Sequence, residues 1–118
     1  MTNIVYVLTN PSISDVVKIG MTSNLENRLR SLYNSSVPVP FECYFACEVD
    51  SMEFVEKQLH DGFDDFRVNP KREFFRIDPE RVISVLRLVE VKNVTPTDDI
   101  VEDEIDRKTL KKKFNCNV

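Results

Sequence analysis

The sequence predicts a small α+β domain, a mainly antiparallel sheet of about three strands flanked by helices on its faces. Three observations carry this. Short runs rich in Val, Ile, Phe and Tyr recur at residues 2–9, 16–20 and 41–50. Apolar residues at helical spacing lie between and after them, at residues 24–33, 52–63 and 79–90. A chain of 118 residues with 42% hydrophobic content supplies one real core but not two.

The first run, residues 2–9, alternates weakly and gives way to Asn10-Pro11-Ser12, which is turn chemistry. Val16 to Gly20 is a second short strand, so the two make an antiparallel hairpin with a loop longer than a tight turn. Ser23 or Asn24 caps the following helix, which runs to about Tyr33 with Leu25, Leu29 and Leu32 on one stripe. Asn34-Ser35-Ser36 ends it, and Pro38 and Pro40 keep the connection extended. Phe41 to Asp50 alternates most cleanly. Phe41, Cys43, Phe45, Cys47 and Val49 face one way, and Glu42, Tyr44, Ala46 and Glu48 the other. Tyr44 and Ala46 on the second face predict partial cover on both sides of the sheet.

Asp50 or Ser51 caps the next helix, whose buried stripe is Met52, Val55, Leu59 and Phe63. Residues 67–72 form a basic loop, and Glu73-Phe74-Phe75-Arg76-Ile77 is a short extended piece. Asp78-Pro79 reads as an N-cap followed by proline at the first helical position. That helix runs to about Glu90, with Val82, Val85, Leu86 and Val89 inward. From Thr95 the character changes: six acids between 98 and 106 precede five bases between 107 and 113. The predicted division is a domain at 1–94 and a charged tail at 95–118, either a marginal amphipathic helix or disordered.

Charge and cysteine usage narrow the function. A net charge of −4 argues against a protein that coats nucleic acid non-specifically. Locally, Arg67, Lys71, Arg72 and Arg76 against Glu73 leave an excess of three positive charges, a footprint for a few phosphates or a solvated loop. Three cysteines, an odd number, argue against a disulfide framework. No run approaches membrane-spanning length, and Met1-Thr2-Asn3 lacks the pattern of a signal peptide. The expected location is intracellular: cytoplasmic, or nuclear if the source is eukaryotic or viral.

Two strands that each carry one polar group, then a helix presenting an arginine one turn in, bring Tyr6, Lys18 and Arg28 to one surface. A guanidinium pairs bidentately with phosphate oxygens and a phenol can pass a proton, so the set suits a phosphodiester. The order resembles the GIY-YIG nuclease superfamily. Ile4-Val5-Tyr6 stands where that family has Gly-Ile-Tyr, and Lys18-Ile19-Gly20 where it has Tyr-Ile-Gly. Glu56-x-x-Leu59-His60, then Phe63 and Arg67-Val68-Asn69-Pro70-x-Arg72-Glu73-Phe74-Phe75, is similar to a branch of small phage and cellular DNA-binding domains. Residues 4–86 are covered. Two positions depart from the general pattern: Ile4 replaces the first glycine, and Lys18 replaces the second tyrosine.

The resemblance implies a DNA-binding protein and a Mg²⁺-dependent (or Mn²⁺-dependent) endonuclease that uses one ion. Tyr6 would be the base that readies the attacking water, directly or through another water. Arg28 would pair with the scissile phosphate, and Glu56 would hold the metal. Lys18 would bind phosphate or lower the tyrosine pKa, and His60 would relay a proton or orient a metal-bound water. Gly20 would let the backbone approach closely where strand feeds helix. Arg28, Arg67, Lys71, Arg72 and Arg76 are the candidate DNA contacts.

Taken singly, each residue has a structural reading. Tyr6 is then a strand tyrosine, Arg28 a helix-surface partner of Glu26 or Asp15, and Glu56 a solvated helix residue. His60 packs against Phe63, and Glu73 is either a second acidic site residue or an ion-pair partner of Arg72 or Arg76. Two further functions stay open: a DNA-binding module that does not cleave, and an adaptor that contacts proteins through its tail and Phe-rich loop. A protein this small is expected to need a second copy or a protein partner for target choice.

Overall fold

The computed structural model describes residues 2–32, 40–68 and 73–96. Three strands form its centre: β1 (Ile4–Asn10), β2 (Ile13–Thr22) and β3 (Glu42–Glu48). The helices are α1 (Leu25–Leu32), α2 (Met52–Gly62) and α3 (Pro79–Leu86). Two short strands, β4 (Phe74–Phe75) and β5 (Lys92–Asn93), complete a five-stranded sheet in the order β4-β2-β1-β3-β5. Every neighbouring pair is antiparallel. The three expected strands are thus the middle of a wider sheet; β4 falls within the extended piece expected at 73–77, whereas the two residues of β5 carry too little side-chain pattern to read in advance.

The sheet separates two apolar layers. Val5, Val7, Val17, Ile19, Phe45 and Cys47 point to one face, where Val55 and Leu59 of α2 and Val82, Ile83 and Leu86 of α3 cover them. Ile4, Tyr6, Leu8, Cys43 and Ala46 point to the other, against Leu25, Leu29 and Leu32 of α1. Local chemistry fixes the helix starts. Asn24 Oδ1 accepts the Asn27 N–H at α1, Ser51 Oγ that of Phe54 at α2, and Asp78 Oδ1 that of Glu80 at α3. Pro79 opens α3 as expected.

β3 departs from simple alternation. Val7 pairs with Phe45 but Leu8 pairs with Cys43, so Tyr44 is the extra residue of a β-bulge. The bulge reverses the inside and outside of everything before it. Phe41 and Cys43 therefore lie on the Tyr6 face, whereas Phe45, Cys47 and Val49 lie on the other. The expected five-residue face does not form, and the two buried cysteines are on opposite sides of the sheet. Tyr44 instead reaches α3, where its hydroxyl donates to Glu80 Oε2 at 2.5 Å.

The last helix is also shorter than expected. α3 ends at Leu86, and its inward residues are Val82, Ile83 and Leu86, while Val85 and Val89 are exposed. The chain then runs along β3, with Val91 N–H donating to Glu48 O and Val94 N–H to Ala46 O. Thr95 Oγ1 accepts the Ala46 N–H at 2.9 Å. No helix among the described residues is long and apolar enough to cross a membrane. Tyr33 to Val39, Lys71, Arg72 and the charged tail from 97 onward lie outside the described residues.

Candidate active site

The hairpin register places the site. Tyr6 stands opposite Gly20, and Leu8 opposite Lys18, so Tyr6, Lys18 and Gly20 share the α1 face. The phenol ring of Tyr6 lies across Gly20. A Cβ at position 20 would sit 2.4 Å from Tyr6 Oη and 2.5 Å from Cζ, closer than any real contact. Gly20 has no positive φ. Its missing side chain makes room for the aromatic ring.

The Leu stripe seats α1 on this face, and Arg28 at its flank turns back over the strand. Arg28 Nε donates to Tyr6 Oη at 3.1 Å. The contact is with the phenol, not with an acid: Glu26 is taken by Arg30 at 3.0 Å. Burial pushes the Tyr6 pKa above its ordinary value, the Arg28 bond and charge pull it down, and the carboxylates of Glu73 and Glu56 push it up. The bond to Tyr6 raises the Arg28 pKa in turn, so the guanidinium stays charged. Arg28 is a cation that acts on the phenol. Tyr6 has no exposed surface.

Lys18 is buried, and its Nζ donates to Glu73 Oε1 at 2.8 Å. The ammonium also lies 5.2 Å from the centre of the Phe74 ring. Glu73 is held in place because its carbonyl accepts the Ile19 N–H at 3.1 Å, where β4 joins β2. The ion pair that Glu73 makes is thus with Lys18, 55 residues away in sequence.

α2 approaches the same β2 edge from the opposite face. His60 Nε2 lies 3.0 Å from Ile19 O and 4.0 Å from Glu56 Oε2. Both neighbours accept, so Nε2 carries the proton and donates it to the carbonyl. The imidazole rests on Phe75, ring centres 5.1 Å apart, rather than on Phe63. Glu56 is mostly covered. Burial pushes its carboxyl pKa up, His60 and Lys18 pull it down, and Glu73 and Glu53 push it up.

The candidate DNA contacts divide. Arg67 is covered: Nε donates to Asp64 Oδ1 at 3.0 Å and Nη2 to the His60 carbonyl at 3.3 Å, with the guanidinium 4.9 Å from the Phe75 ring centre. It fastens the end of α2 to β4 and is not presented to a phosphate. Arg76 is exposed and lines an open cleft of about 520 Å³ with Asn10, Ile13 and Asp78, at the far end of the hairpin from Tyr6.

A five-stranded antiparallel sheet with a helix-borne arginine bonded to a strand tyrosine defines a small α+β domain. The profile of the T5orf172 domain family matches residues 3–90, and the chain belongs to that family. Membership suggests a nucleic-acid-binding or nuclease-like domain. No curated protein and no solved structure matches the chain.

Proposed function

We propose that the domain is a DNA endonuclease of GIY-YIG type, hydrolysing phosphodiester bonds with one Mg²⁺ ion. The Arg28 Nε to Tyr6 Oη hydrogen bond over Gly20 carries this reading. Arg28 commits Nε to the phenol and keeps its terminal nitrogens for the phosphate, where they stabilise charge growing on its oxygens. Tyr6 acts as base once its own proton has passed to solvent: the phenolate, held by the Arg28 charge, takes the proton of the attacking water, which forms the new P–O bond as the bridging P–O bond breaks. Tyr6 is fully covered in the free protein, so its hydroxyl must be uncovered before it meets the attacking water. The donated Nε2–H of His60 fixes the β2 edge beside Glu56.

The residues fit the ion. Glu56 is a mostly covered carboxylate whose nearest ion-pair partner stands at 4.0 Å, beyond hydrogen-bond length. No group of three or more His, Cys, Asp or Glu side chains able to hold a metal exists among the described residues. Mg²⁺ suits a single carboxylate because it keeps most of its waters. Glu56 would hold it, and when bound it offsets the negative charge on the leaving oxygen.

A second reading keeps DNA binding and drops cleavage, with Arg28 and Arg76 on phosphates. The full cover over Tyr6 favours it. Incubation with supercoiled, branched and single-stranded DNA plus Mg²⁺ or Mn²⁺ separates the two. Nicking by the wild type that Arg28→Ala and Glu56→Gln abolish supports the nuclease. A gel shift with no nicking under any metal leaves the binding module.

A further inference from the structure

The Lys18–Glu73 pair sits within the proposed site but has no part in that mechanism. Lys18 projects from β2 on the Tyr6 face, one alternate residue from Gly20, and its side chain is 10% exposed. Glu73 is 39% exposed, so the carboxylate is the outer partner and covers the ammonium from the solvent side. Its charge acts on Tyr6, Arg28 and Glu56 as well. A single carboxylate thus closes on Lys18 and lies within electrostatic reach of Arg28 and the phenol.

We propose that Glu73 is an internal counter-anion, which occupies the phosphate position on Lys18 in the free protein and must be displaced when DNA binds. The inference rests on the DNA-binding reading above and names what regulates that site. The anchoring favours exchange over rearrangement. The Glu73 backbone is pinned to β2 through Ile19, so only its side chain needs to swing. Lys18 remains supported meanwhile by the Phe74 ring. Glu73 is in this sense a positioning residue acting through Lys18. It holds affinity down and excludes weak anions from a site whose Lys18 would otherwise lack its ion-pair partner.

The test is duplex-DNA affinity by fluorescence anisotropy across a salt series, with the divalent ion chelated. Glu73→Gln keeps the shape and removes the charge. It should bind about fivefold to tenfold tighter than wild type, with a log–log salt slope steeper by about one. Adding Lys18→Met should erase the gain. Glu73→Asp, which retracts the carboxylate by one methylene, should move affinity the same way by less, and it carries the test if the glutamine variant fails to fold. Equal or weaker binding by folded Glu73→Gln, or a gain that survives Lys18→Met, overturns the inference while wild-type binding leaves the parent reading standing. No binding by any of these proteins at low salt overturns both.

Discussion

Replacing Gly20 by alanine tests the packing on which the candidate site is built. The new methyl would meet Tyr6 Oη at 2.4 Å, Cζ at 2.5 Å and Cε1 at 2.8 Å. The ring cannot swing into solvent cheaply, because Tyr6 is fully covered and packed among Ile4, Leu8 and Ala46. Overpacking of this kind costs about 1–3 kcal/mol, and a displaced phenol also weakens its bond to a charged donor, adding about 1 kcal/mol. The sum near 3 kcal/mol is a large share of the ~5–15 kcal/mol that holds a domain together. In thermal unfolding it corresponds to a fall of roughly 10–20 °C. Tyr6→Phe in the same chain recovers little, since it removes the nearest atom but leaves the contacts at 2.5 and 2.8 Å. Gly62→Ala is the control: nothing lies within 4 Å of its Cβ, so stability should hold or rise by a few tenths of a kcal/mol. A Gly20→Ala protein within about 0.5 kcal/mol of wild type, with the Arg28 to Tyr6 bond intact, would refute the reasoning.

Further outcomes follow from the same geometry. The bond to Glu80 first, then burial, push the Tyr44 hydroxyl up to about 12, and burial pushes the Cys47 thiol up to about 11. The folded state then holds protons that the unfolded chain has lost, so the urea midpoint should fall as pH climbs from 9 toward 12, and Tyr44→Phe should flatten the upper part of that fall. Saturating Mg²⁺ should raise the melting temperature of wild type, by about 2–3 kcal/mol of stabilisation at a hundredfold excess over its Kd, and chelation should reverse this. Glu56→Gln should show no such shift. Arg67→Ala should cost about 1–2 kcal/mol in unfolding while leaving the salt slope of DNA binding unchanged, because its guanidinium is committed to Asp64, the His60 carbonyl and Phe75. Arg76→Ala should do the opposite, reducing that slope by about one with little effect on stability.

Much of this fold is legible in the residues, and the misses have local causes. The helix caps Ser51 and Asp78-Pro79 and the α1 and α2 stripes are short-range chemistry, and they stand where the pattern puts them. The bulge at Tyr44 is invisible because Tyr44 and Ala46, in the middle of the face that Glu42 and Glu48 bound, leave no polar residue there to betray a one-residue slip. Val85 and Val89 look inward by composition, but the buried side of α3 is Val82, Ile83 and Leu86, which leaves Val85 outside it, and the helix ends before Val89. For the site, the hairpin spacing suffices to align Tyr6 with Gly20 on one face, and helix periodicity places Arg28 above them. The Lys18–Glu73 pair depends on β4 adding to the sheet edge, a contact between distant segments that no spacing encodes. Arg67 reads as a candidate phosphate contact in the sequence, and only Asp64, the His60 carbonyl and the Phe75 ring around it reveal a structural cation.

Single-turnover nicking of supercoiled DNA in Mg²⁺, wild type against Tyr6→Phe, addresses the catalytic claim most directly. The substitution keeps the ring over Gly20 and removes only the oxygen that Arg28 holds. A rate lowered by about a hundredfold or more, with DNA affinity retained, is the predicted result. Cleavage at the wild-type rate by the phenylalanine protein would contradict it.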